Sequence, residues 1–286
     1  MSRVAYVNGR YLPHALARVH VEDRGYQFAD GVYEVCEVRD GRLVDERRHM
    51  ERLTRSLQEL RINPPMAPAA LGVVLRETIE RNRVRDGLVY LQVTRGVARR
   101  DHGFPPAGTK PSVVVTARSV DRGRADRLAE TGIKIITVPE NRWPRVDIKS
   151  VALLPNVMAR QEALDKGAKE AWYVDANGLV TEGASANAWI VTEDGVIVTR
   201  SASSGILRGI TRTVTLGMSK SPAKGVEERS FSVTEALAAR EAFQTSATLT
   251  VMPVVEIDGK KIGDGRPGPV ARALRAHYHE AAEIAP

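Results

Sequence analysis

Two residues in this sequence have types and settings suited to covalent and proton chemistry. Lys149 stands in Asp147-Ile148-Lys149-Ser150-Val151, a lone amine at the end of a short apolar segment. Burial without a partner disfavours an ammonium, and the neutral amine that results is a nucleophile that forms Schiff bases with carbonyls. Read alone, the segment also fits a lysine that lays its stem on apolar surface and keeps its head in water. Glu182 is the second residue. It lies in Thr181-Glu182-Gly183-Ala184-Ser185-Ala186-Asn187, an acid among small residues that let a flat ring approach the backbone. A carboxylate there can keep a pyridinium nitrogen protonated, so that the ring accepts electrons. Alone, this segment equally fits a hairpin turn with an exposed glutamate.

Three further segments suit small anions. Gly205-Ile206-Leu207-Arg208-Gly209-Ile210-Thr211-Arg212 opens a helix with glycine and a hydroxyl. Free N–H groups at a helix start bind phosphate, and Thr211 can add a hydroxyl; an ordinary N-terminal cap reads the same way. Arg52, three residues after His49, falls at the edge of a helix's apolar face, where its planar fork can meet a partly buried phosphate or simply reach solvent. Arg100 and His102 are two apart in a loop, so an extended backbone points both side chains the same way, towards a carboxylate or towards water.

The elements that must position these groups are legible as periodicities. Val4–Val7 precedes Asn8-Gly9, a hairpin turn, and Val32–Val38 is a strand that turns at Asp40-Gly41. Asp45 is placed to cap a helix to about Arg61, with Met50, Leu53, Leu57 and Leu60 on one face. A second helix spans 67–82, followed by strands at 88–94 and 112–117. Residues 121–127 are polar and charged and read as a linker between domains at 1–120 and 128–286. The second half begins with a strand at 132–138. A helix at 155–166 follows, with Leu154, Val157 and Leu164 expected inward. Hairpins turn at Asn177-Gly178, Asp194-Gly195 and Asp258-Gly259, and helices are expected within 205–220, at 234–240 and at 270–283. The class is α+β in both halves.

Composition narrows the function. At 286 residues, 43% hydrophobic and 27% charged, the chain has the makeup of a soluble globular protein. No apolar run is long enough for a membrane helix, and Met1–Tyr11 has no apolar signal core. The net charge of +7 comes from scattered arginines without a basic, aromatic-interleaved stripe, which argues against nucleic acid. The single cysteine, Cys36, rules out a disulfide framework and a cysteine-rich metal site, and it makes the cytoplasm the default compartment.

Taken together and in order, these motifs resemble the fold-type IV pyridoxal 5'-phosphate (PLP) enzymes, the branched-chain and D-amino acid aminotransferase group. The carriers are Glu22–Val35, His49–Leu53, Arg100-Asp101-His102, Asp147–Ser150, Thr181–Asn187 and Leu207–Arg212. The resemblance spans nearly the whole chain. It implies a two-domain fold, with a smaller α/β N-terminal domain and a larger β-barrel-like C-terminal PLP-binding domain, and a homodimer. It implies that Lys149 holds PLP and that Glu182 meets the ring nitrogen. Arg52, Ile210 and Thr211 would bind the phosphate, and Leu207 would pack on one ring face. Ser185, Gly209, Ser246, Ala247 and Thr248 complete the implied cofactor set. Tyr33, Arg100 and His102 match the substrate carboxylate trap of the D-specific branch, so the implied reaction is transamination between D-amino acids of the D-alanine or D-glutamate type and 2-oxo acids. An L-branched-chain aminotransferase or an aminodeoxychorismate lyase on the same fold is the alternative. Two positions depart from the family pattern. Ala247 keeps a backbone N–H but lacks a hydroxyl for the phosphate, and Ala186 stands where a D-specific relative has serine.

Overall fold

The computed structural model describes residues 3–202 and 205–285. The chain divides into two compact units. One comprises Met1–Arg122, Ile148–Ala152 and Glu283–Pro286; the other comprises Gly123–Asp147 and Leu153–Ala282.

The first unit contains β1 (Val4–Val7), β2 (Arg10–Pro13), α1 (Arg24–Phe28), β3 (Gly31–Arg39), β4 (Arg42–Leu43), α2 (Glu46–Glu59), α3 (Pro68–Arg81), β5 (Gly87–Thr94) and β6 (Ser112–Ser119). Its strands form a sheet in the order β2-β1-β6-β5-β3-β4, antiparallel at every pairing. The period-two pattern of β3 buries Val32, Cys36 and Val38 on one face. There they share a core with Met50, Leu53 and Leu57 of α2 and Leu71, Leu75 and Ile79 of α3. The expected turns form at Asn8-Gly9 and Asp40-Gly41, each with both residues at positive φ, as a tight hairpin requires. Asp45 does occupy the N-cap position of α2. Its own φ is +55°, however, and its carboxylate makes no cap bond, meeting Arg48 and the Glu283 N–H instead.

Ile148–Ala152 belongs to this unit because its backbone pairs with the start of β3. Val32 and Ser150 form an antiparallel bridge, the Tyr33 N–H donates to the Lys149 carbonyl at 3.0 Å, and the Val151 N–H donates to the Gly31 carbonyl at 3.0 Å. At the other end of β3, β4 occupies the same edge.

Residues 121–127 fall largely within a helix, α4 (Arg122–Thr131), and the boundary between the units lies at its first turn. The second unit continues with β7 (Ile133–Pro139), α5 (Leu154–Asp165), β8 (Glu170–Val174), β9 (Val180–Gly183), β10 (Asn187–Val191), β11 (Val196–Thr199), α6 (Ile210–Leu216), β12 (Gly225–Glu228), α7 (Val233–Leu237), β13 (Glu241–Ser246), β14 (Thr250–Ile257), β15 (Lys260–Lys261) and α8 (Pro269–Ala281). Its sheet runs β12-β11-β10-β13-β14-β7-β8-β9, with β15 paired to β14. It curls so that β9, at one end, comes back alongside β10. Every position of β9 and β10 is buried, so both faces are covered. The Trp189 and Phe243 rings stack at 5.4 Å within it.

One expectation about packing is reversed. On α5 the inward residues are Ala159 and Ala163, which join Ile136, Val138 and Ala171 in one core cluster. Leu154, Val157 and Leu164 face outward, at 70%, 61% and 47% exposure. The helix meets β7 and β8 through alanines one turn apart, which leaves the large side chains on its far side. Among the described residues no helix is long and apolar enough to cross a membrane.

Candidate active site

In the first unit, backbone pairing places Lys149 beside Tyr33. The Lys149 Nζ lies 4.3 Å from the centre of the Tyr33 ring, which stacks on Tyr90 at 5.7 Å. The Tyr90 hydroxyl donates to Gln92 Oε1 at 2.7 Å. Burial, reinforced by the neighbouring Tyr33, pushes the Tyr90 phenol up to about 12, so it stays protonated. Lys149, Tyr33, Tyr90 and Gln92 are all half-buried, an accessible amine on an aromatic wall.

The opposite face of β3 holds a residue that the sequence reading passed over. Glu34 is 1% exposed and sits between the two side chains that α2 offers. Arg52 donates to it from Nε at 2.8 Å and from Nη2 at 2.7 Å. The His49 Nδ1 lies 2.7 Å from the same carboxylate. Burial raises the Glu34 carboxyl, but the Arg52 charge and hydrogen bonds outweigh it and hold the group at about 2. Two of the five donors of Arg52 are therefore committed to an acid, and its guanidinium plane is fixed. The signal was present in the sequence. Glu34 shares strand parity with Val32, Cys36 and Val38, and an acid among core residues calls for a buried cation.

Arg100 and His102 stay together, as their spacing implies, but they gather on Phe28. The Arg100 guanidinium lies 4.9 Å from that ring and the His102 ring 5.5 Å from it. Both are exposed on the single chain. Their loop is fastened by Arg24, whose Nη1 donates to the Asp101 carbonyl at 2.7 Å. Arg24 and Arg95 in turn share Asp30.

In the second unit, Glu182 is the next-to-last residue of β9 and is buried, at 5% exposure. Its Oε1 accepts from Arg142 Nη1 at 2.6 Å. Its Oε2 accepts from Asn187 Nδ2 at 3.0 Å and from the Leu207 N–H at 3.1 Å. Burial pushes the Glu182 carboxyl above its ordinary range, and Arg142 is the chief opposing influence. Asn187 also donates to the Leu207 carbonyl at 2.9 Å, which ties the 205–209 turn to the acid. The turn comes so close that a Cβ on Gly209 would stand 2.0 Å from Asn187 Oδ1. Gly209 is the N-cap of α6, so Ile210 and Thr211, both buried, are its first residues, whose N–H groups have no partner within the helix.

The remaining expected cofactor residues have local partners. The Ser185 hydroxyl donates to Glu170 Oε2, whose carboxyl burial pushes up. The Ser246 and Thr248 hydroxyls lie 3.2 Å apart. The Ser246 Oγ accepts from the Leu249 N–H at 3.2 Å, closing the turn that contains Ala247.

The donor set around Glu182 fits PLP. A carboxylate offers about four lone-pair sites, and three donors approach this one, which leaves room for a ring N–H. Tyr173, whose ring lies 4.3 Å from the Arg142 guanidinium, has a buried hydroxyl without a partner among the described residues. No group of His, Cys, Asp and Glu able to hold a metal occurs among those residues.

Comparison with known proteins agrees with this chemistry. The amino-transferase class IV family profile matches residues 31–257. The chain is 40% identical over 276 residues to the D-alanine aminotransferase of Staphylococcus haemolyticus, covering 96% of each. It is 41% identical over 268 residues to that of Bacillus licheniformis, covering 94% of this chain and 93% of the relative. Among solved structures, the branched-chain amino acid aminotransferase of Escherichia coli superposes with a TM-score of 0.84 at 25% identity, over 98% of this chain and 94% of that one. The PLP-bound form of a hypothetical aminotransferase from Mycobacterium tuberculosis shares the fold, with a TM-score of 0.82 at 21% identity, over 97% of this chain and 98% of that one.

Proposed function

Because the chain belongs to the class IV aminotransferases, we propose that it transfers amino groups between D-amino acids and 2-oxo acids with PLP as cofactor. The carrying observation is the identity of about 40% to D-alanine aminotransferases over 96% of both chains, against 25% for the Escherichia coli branched-chain enzyme.

PLP, when bound, supplies an electron sink for the substrate Cα and a carbon that accepts and passes on the amino group. The chain's own residues do the rest. Lys149 would hold the cofactor through its amine and, when that amine is free, would serve as the base and acid that moves the substrate Cα proton. Its place on the Tyr33 ring keeps the amine partly dehydrated yet reachable. Glu182 would meet the ring nitrogen and keep it protonated, and Leu207 would lie against the ring. Arg52 binds the phosphate, its plane set by Glu34. Ile210 and Thr211 bind it at the start of α6, with Ser246, Ala247 and Thr248; Ser185 and Gly209 shape the cradle. Tyr33, Arg100 and His102 bind the substrate carboxylate. One clamp serves both half-reactions, because donor and acceptor both carry an α-carboxylate.

The assembly we propose is a homodimer. Leu154, Val157 and Met158 form an exposed apolar row on α5, at 70%, 61% and 64%, larger than a solvated helix face favours. We place the enzyme in the cytoplasm, consistent with its lone buried Cys36. The reading is tested by the visible spectrum of the purified protein. It should be yellow, and its visible band should fall on addition of D-alanine without an oxo acid. A colourless protein that takes up no added PLP overturns it.

A further inference from the structure

Glu182 does not stand as a solitary acid. It is one end of a closed chain of charge that runs Glu182, Arg142, Glu140. Arg142 leaves the loop after β7 and turns inward, with its side chain 7% exposed. One arm reaches Glu182 at 2.6 Å. The other two nitrogens, Nε and Nη2, close on Glu140 at 2.9 and 2.6 Å, and the Arg142 backbone N–H donates to Glu140 as well, at 3.1 Å. Glu140 also accepts from the hydroxyl of Thr181 at 2.8 Å, the residue next to Glu182 in β9. The guanidinium is thus held between the Tyr173 ring, 4.3 Å away, and a forked acid that is itself fixed by a strand neighbour of Glu182.

We propose that Arg142 is a positioning residue which keeps Glu182 ionised and aimed, with Glu140 fixing Arg142 for that task. This rests on the reading of Glu182 as the ring-nitrogen partner. The charge balance supports it. Two carboxylates share one guanidinium, so the three side chains together carry one uncompensated negative charge, with Glu182 and Arg142 buried and Glu140 at 21% exposure, and the buried part of that charge is costly. A protonated ring nitrogen on Glu182 cancels that charge, which a neutral ring nitrogen would not. Without Arg142 the enclosure around Glu182 favours the neutral carboxylic acid, and a neutral acid cannot hold the ring nitrogen protonated. The Asn187 and Leu207 donors orient one oxygen, but neither brings a charge.

The test is a double-mutant cycle on the PLP dissociation constant of the apoprotein, read by tryptophan-fluorescence quenching, with the visible band of the reloaded protein recorded alongside. Glu182→Gln and Arg142→Gln should each weaken PLP binding about tenfold or more and move the band in the same direction. The double variant should be within about twofold of Glu182→Gln, because Arg142 acts through Glu182. Arg142→Lys, which keeps a cation but cannot fork, should fall between wild type and Arg142→Gln; if Arg142→Gln does not fold, the cycle is run with Arg142→Lys. Fully multiplicative losses, or an unchanged dissociation constant and band in the Arg142 variant, overturn the proposal while leaving Glu182 in place. An unchanged Glu182→Gln overturns the Glu182 reading itself, and the proposal with it.

Discussion

Arg52 closes two donors on the buried carboxylate of Glu34, from Nε at 2.8 Å and Nη2 at 2.7 Å. The helix arginine that we propose binds the phosphate is thereby held by a strand acid, so its fork is set before any ligand arrives. Pre-set geometry lowers the ordering cost of binding. It also makes the pair a fold element in its own right.

Replacing Glu34 should therefore cost stability. Glu34→Gln leaves the Arg52 guanidinium in its enclosed place without a counter-charge, which should cost about 3–5 kcal/mol. Urea unfolding of the apoprotein reads this as a lower midpoint; an unchanged midpoint would contradict the assignment of the pair as buried and coupled.

The same pair sets an acid limit. Glu34 is held at about 2 against an ordinary 4.5, so its folded pKa lies below its unfolded one. Its contribution is fully present above the unfolded value and is lost as pH falls towards 2. Stability measured from pH 6 downward should decline more steeply in the wild type than in Glu34→Gln. Parallel curves would count against the depressed pKa.

Lys149→Ala should abolish the visible band that borohydride reduces and fixes to the protein, while the apoprotein keeps its fold, because the Lys149 backbone pairing with Tyr33 does not need the side chain. Equal labelling of the variant would remove Lys149 from its role.

Arg100→Ala should raise the KM for D-alanine by roughly tenfold or more, since a charge-assisted hydrogen bond contributes about 1.5–3 kcal/mol. PLP occupancy should stay as it was. Steady-state kinetics together with cofactor content separate the two effects, and an unaltered KM would take Arg100 out of the clamp.

Gly209→Ala should disturb the cradle by steric means alone, since the φ of −61° at Gly209 suits any residue. The added Cβ would meet Asn187 Oδ1 at 2.0 Å, displacing the amide that orients Glu182. PLP binding should weaken in Gly209→Ala and in Asn187→Ala, with the double variant no weaker than the worse single one. Independent, additive losses would show that Gly209 does not act through Asn187.

Much of this was legible from residue types. Strand and helix positions followed from periodicity, and Lys149 and Glu182 stood out because each puts one ionisable group into an apolar or small-residue setting. Three features were harder to see, each for a physical reason. Arg142 lies in the irregular 140–147 loop, where no period predicts which way a side chain turns. On α5 the eye follows Leu154, Val157 and Leu164, yet the helix packs through Ala159 and Ala163, because close approach to a strand selects small residues. Asp45 carried the composition of a helix cap, but Arg48 and the Glu283 N–H outcompete the cap bond. Glu34 was readable in principle from its strand parity alone.

Transamination of D-amino acids is tested by the turnover of D-alanine against L-leucine by the PLP-loaded enzyme, both with 2-oxoglutarate as acceptor. Pyruvate should form from D-alanine with a higher kcat/KM than any product from L-leucine. Faster turnover of L-leucine, or no turnover of D-alanine, contradicts it.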